Sequence, residues 1–190
     1  MAPFVPLSEL WLPLVLSAVL VFIVSSIIHM ALPFHKSDYR KLPDEDRVMD
    51  VLRSAGVTPG PVYFFPHHEM KDMKLPEVQE KFKRGPLGML YIKPSGLPNM
   101  GKFLGAWFVY CLVVSLFTAY LTGRTRAAGT EFWEVFRVAG TVAFMGYGLA
   151  QCQQSIWGGQ PWKVTIKHLI DSLIYGLVTA ATFGWRWPTA

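Results

Sequence analysis

The chain has 190 residues, 52% of them hydrophobic and only 16% charged, with a formal net charge of +5. Soluble domains carry roughly a quarter charged residues, so this composition excludes an ordinary soluble domain, and the length suits a single one. The small positive balance, with acids interleaved among bases in "DEDR" and "EVQEKFKR", fits a solvated surface and not a nucleic-acid-binding stripe.

The first element is the apolar run "LSELWLPLVLSAVLVFIVSSIIHMAL", closed by Pro33. A bilayer core takes about 20 helical residues, so residues 7–34 are predicted as a first membrane helix. No basic stretch precedes the run and no small-residue cleavage pattern follows it, which argues for a retained helix over a secretory signal. Pro13 falls early in the helix, where it is tolerated.

Residues 35–101 form a hydrophilic insert. Twelve of the eighteen Lys/Arg and nine of the thirteen Asp/Glu lie between His35 and Lys102. "LPDEDRVMDVLRSAG" places Pro43 at a first helical position, apolar Val48, Val51, Leu52 and Ala55 on one face, and Gly56 as a stop. "PVYFFP" follows as a short strand. "LPEVQEKFKRG" and "PLGMLYIKP" repeat the helix and strand recipes, predicting an α-β-α-β module. Two helices and two strands bury little core alone, so the module is expected to lean on the membrane helices or a partner. Between its halves, "FFPHHEMKDM" offers His67, His68, Met70 and Met73 as soft-metal donors. The interleaved Lys71 and Asp72 suit a solvated loop better.

Three further runs complete the chain, at about 102–123, 131–154 and 164–185. The predicted fold is an all-α transmembrane four-helix bundle with the α/β insert between helices 1 and 2. Four crossings place both termini on one side. Eight Lys/Arg flank the helix ends on the insert side and three on the other, which predicts a cytoplasmic insert, external termini and a bacterial inner-membrane location. Small residues Ala139, Ala143, Gly146 and Ala150 recur at spacings of 4, 3 and 4, a stripe that lets a neighbouring helix approach closely. The second run carries a narrower one, and the two helices are expected to form an antiparallel hairpin. Cys111 and Cys152 have neither metal spacing nor the depth match for a disulfide.

Polar residues collect at one depth. His29 closes the first run, Gln151 and Gln154 close the third, and His168 and Asp171 open the fourth, with Tyr175 one turn further on. Asp171 is the only acid well inside any run. Lipid cannot satisfy such groups, so they are expected to face one another beneath the insert. A cluster of this kind can lock helix packing. It can also bind a proton or a divalent cation through His29, His168 and Asp171.

No phosphate loop, G-x-S-x-G, H-E-x-x-H or haem-attachment motif occurs. No cofactor is predicted, although the donor set admits a divalent metal. The leading expectation is a non-enzymatic accessory or scaffolding subunit of a larger membrane complex, with the lipid bilayer and other membrane subunits as partners. One alternative is a small proton or divalent-cation transporter or channel component. Another is a membrane enzyme acting on a lipid or quinone at the interface, with His168 as base and Asp171 orienting it.

Overall fold

Apolar runs that lack internal helix breakers satisfy their backbone groups most simply as helices. The structure, a computed structural model, describes residues 4–189 and is mostly helical, at 67%. In chain order its helices are α1 (Trp11–Ser26), α2 (Glu45–Ser54), α3 (Pro76–Arg84), α4 (Met100–Thr125), α5 (Phe132–Tyr147), α6 (Cys152–Ile156) and α7 (Trp162–Trp185). Two strands, β1 (Val62–Phe65) and β2 (Gly88–Tyr91), flank α3. A wider helical turn at Ile27–Ala31 prolongs α1. Among the described residues three helices, Trp11–Ala31, Met100–Thr125 and Trp162–Trp185, are long and apolar enough to cross a membrane.

The third apolar run corrects the prediction of one helix over 131–154. It is helical only for the 16 residues of α5, breaks at Gly148, and resumes through a tight turn at Leu149–Gln151 into α6. Packing explains the break. A Cβ on Gly148 would stand 2.9 Å from the Ser172 Cβ of α7 and 3.0 Å from the Phe144 carbonyl. Glycine is what lets the chain turn there against α7.

The chain divides into two compact units, Met1–Tyr39 with Asn99–Ala190, and Arg40–Pro98. In the first, α1 packs on α4 and α7, and α5 packs on α4 and α7. Glycines let α5 and α7 approach closely: a Cβ on Gly176 would meet the Gly140 carbonyl at 3.3 Å, and one on Gly140 would meet the Ala180 Cβ at 3.0 Å. Ala139 and Ala143 are fully buried, and Gly146 abuts Val114 of α4. Ala150, predicted on the same stripe, lies beyond the break and is exposed. Val21, Cys111, Ala143, Tyr147 and Tyr175 form one core cluster, and Leu10, Ala119, Val135, Ala139 and Phe183 a second. Buried hydroxyls bridge helices: Ser17 and Ser115 share a 2.6 Å hydrogen bond, and the Trp107 indole N–H donates to Ser25 Oγ at 2.8 Å. Cys111 and Cys152 are free thiols.

The second unit runs helix, strand, helix, strand. Its strands pair antiparallel from Val62↔Tyr91 to Phe65↔Gly88. Pro76 opens α3, where its missing N–H costs nothing. Pro43 does not open α2: Asp44 adopts the left-handed region at φ 48° and the helix starts at Glu45.

Candidate functional site: imidazoles around a buried carboxylate

On α7, Lys167 and His168 precede Asp171 by four and three residues, so each lies one helical turn from it on a shared face. Opposite them, the α1 extension carries His29 in its last turn. Pro33 cannot continue a helix. The chain reaches it through extended Leu32 and folds back in a tight turn at Pro33–His35. That reversal brings His35 onto His29, with the two rings stacked at 4.4 Å, and His168 also stacks with His35, at 5.4 Å.

Asp171 stands at the edge of this imidazole stack with its side chain only 3% exposed. Its Oδ2 is 2.9 Å from His35 Nε2, 3.8 Å from His29 Nε2 and 3.9 Å from His168 Nδ1. None of these approaches is aligned as a hydrogen bond, and both Asp171 oxygens and His35 Nε2 are buried without a hydrogen-bonding partner among the described residues. Buried carboxylates are ordinarily satisfied, so this one calls for an explanation.

The other edge of His35 is firmly held. Its Nδ1 lies 2.7 Å from Asp38 Oδ2, and Asp38 Oδ1 accepts from Lys167 Nζ at 2.5 Å. Lys167 also donates to the Phe34 carbonyl at 2.5 Å and to Ser37 Oγ at 3.0 Å. Burial by itself would raise the Asp38 carboxyl, but hydrogen bonds from Lys167 and His35 outweigh it and hold the group below its usual value. A carboxylate only accepts, so Nδ1 carries the His35 proton. In the neutral ring Nε2 is then a lone pair facing the Asp171 oxygen. Two acceptors at 2.9 Å repel unless a proton or a metal ion mediates between them.

The charges agree. Lys167 offsets one of the two carboxylates, leaving one negative charge when the imidazoles are neutral.

Of the residues singled out from sequence, His29, His168 and Asp171 come together. Gln151 is half-buried in the turn after α5, and Gln154 is exposed with its carbonyl accepting from the Gln160 N–H. Neither amide has a hydrogen bond to Asp171 among the described residues. Tyr175 is buried one turn below Asp171, edge-on to Tyr147 at 5.5 Å, and its hydroxyl has no hydrogen-bonding partner among the described residues. In the insert, His67 is exposed, His68 packs edge-on to Phe82 at 4.8 Å, and Met70 and Met73 are exposed.

His35, Asp38 and Lys167 are the residues that sequence reasoning passed over. One signal was present: His35–Asp38 repeats the His-x-x-Asp spacing of His168–Asp171. His29, His35 and Asp171 offer ligand atoms that all lie within 4.8 Å of one another. Comparison with family models, curated proteins and solved structures finds no match.

Proposed function

We propose that the protein is a multi-pass membrane protein that binds and moves a cation, with Asp171 as the accepting carboxylate and His29, His35 and His168 as its imidazole partners. In this reading the chain crosses the bacterial inner membrane four times, the third crossing being made by α5 and its continuation, with the insert cytoplasmic. The observation that carries it is His35 held between two carboxylates, with its Nε2 and both Asp171 oxygens buried and without a hydrogen-bonding partner among the described residues. Intramembrane ionisable groups of this kind mark ion and proton pathways. The exposure of His29, at 43%, supplies an open side for exchange.

The accessory-subunit reading has less support, because most of the small-residue stripe that favours it is used within the chain, at Ala139, Ala143 and Gly146. The interfacial-enzyme reading needs a cleft beside His168. The cleft bordering the cluster, about 380 Å³, is lined by His29 and Trp107 and not by His168.

The test is flux into liposomes containing the purified protein, following internal pH and divalent-cation uptake. Asp171→Asn is expected to fall to the level of empty liposomes while its yield and melting temperature stay those of the wild type. Wild-type flux of neither cation, or a variant that still transports, would overturn the reading. Loss of accumulation or of co-purifying partners in the variant would favour the subunit role instead.

A further inference from the structure

We infer that His29, His35 and Asp171 are the ligands of a site for a borderline transition-metal dication of the zinc, cobalt or nickel class, with Asp38 as the positioning residue for His35. The inference rests on the cation reading of the same cluster and commits it to a metal.

The donor types set the class. Two imidazoles and one carboxylate suit zinc and its first-row neighbours, whereas magnesium and calcium demand oxygen donors almost throughout. Separation agrees with this. Nitrogen and oxygen ligands about 2.0–2.1 Å from a tetrahedral ion stand about 3.3 Å apart. The corresponding atoms here are 2.9 and 3.8 Å from Asp171 Oδ2, and all three ligands fall within 4.8 Å. Rotamer adjustments of less than an ångström or two close the set around an ion.

The surroundings of His35 agree as well. Metal-bound histidines generally donate their second ring N–H to a carboxylate, which fixes the tautomer and raises ligand basicity. Asp38 accepts from His35 Nδ1 at 2.7 Å, and Lys167 in turn fixes Asp38. Nothing about the packing of α1 on α7 requires that chain of contacts to end on an unpaired nitrogen facing an unpaired carboxylate. A metal does. Three protein ligands leave a coordination position free, as in catalytic and not structural zinc sites. The half-exposed His29 borders the cleft beside Ser25, Met30, Met100 and Trp107, which supplies an access route. His168 stacks on His35 and stays outside the ligand set.

The test uses the full chain, stripped with a chelator in mild detergent and titrated with Co²⁺ alone. The wild type is expected to bind a single Co²⁺ with a visible d–d band lacking thiolate character, and excess Mg²⁺ is expected to leave it bound. His35→Gln and Asp171→Asn lose about 100-fold in affinity or more, His168→Ala changes it only a few-fold, and Asp38→Asn weakens it by about 10- to 100-fold with a shifted d–d band. Asp38→Glu restores the wild-type band at least in part. Because a variant can fail to fold, the wild type is also probed by histidine-directed acylation and mass spectrometry. Co²⁺ should protect His29 and His35 and leave His67 reactive. No Co²⁺ uptake by the wild type, uptake indifferent to His35→Gln, or equal protection of His67 overturns the metal site. Asp171-dependent proton flux without Co²⁺ binding would do so while leaving the cation reading intact. Co²⁺ binding without flux would overturn transport alone.

Discussion

Lys167 is a cation with little access to water, its side chain 11% exposed and its three donors spent on Phe34, Ser37 and Asp38. A buried pair contributes little net stability when both partners are present, yet removing one strands the other charge. Lys167→Met is therefore expected to destabilise the helical unit by about 3 kcal/mol, the lower end for such pairs because the site lies at a helix end. Lys167→Met with Asp38→Asn should recover most of that loss, and denaturant unfolding in micelles measures both. The pH range follows from the direction of the Asp38 shift. Its folded-state value is depressed, so its contribution is complete above the unfolded carboxylate value, about 3.9, and disappears only as pH falls through the lower folded one. The titration of Asp38 itself should thus take nothing from the difference between wild type and Lys167→Met between pH 7 and pH 5. None of this was legible locally. Lys167 reads in the sequence as one more basic residue at a helix end, because its partner is 129 positions away.

The crossing of α5 on α7 depends on the absence of side chains. A Cβ at Gly176 would lie 3.3 Å from the Gly140 carbonyl, the Phe144 amide and the Phe144 Cβ, and two of those neighbours are backbone that cannot rotate aside. Gly176→Leu is expected to force the helices apart and cost about 1–3 kcal/mol or more. Gly105→Ala on α4 is the contrast, since nothing lies within 4 Å of its Cβ position. That change should be neutral or stabilising by up to about 1 kcal/mol through helix propensity alone. Unfolding midpoints of the two variants separate the explanations. The small residues of the third run were recognisable as a packing stripe, and Ala139 and Ala143 are buried accordingly. The partner face was not. Gly140 and Gly176 sit in otherwise ordinary apolar surroundings, and which of two glycines meets another helix is settled by the angle at which the helices cross.

Crossing number is a property of the whole molecule. By itself α5 spans about 24 Å at 1.5 Å per residue, short of a hydrocarbon core of about 30 Å; in the proposed four-crossing topology the turn and α6 that follow, or a locally thinned bilayer, would make up the difference. Reporter fusions beyond each terminus are expected in one compartment, and a reporter in the insert in the other. Termini in opposite compartments would mean three crossings, and α5 would then lie along the interface. Composition and apolar run length were enough to establish helices of membrane length and a polar module between them, because helix formation and hydropathy depend on neighbours a few residues apart. They also marked Asp171, His168 and His29 as out of place in lipid. The residue that completes their site is His35, which sits in hydrophilic sequence and reaches the cluster only because Pro33 ends the helix and the chain doubles back onto α7. Such a meeting joins positions 136 apart by backbone direction and helix packing, and neither is written in the residues on either side of His35.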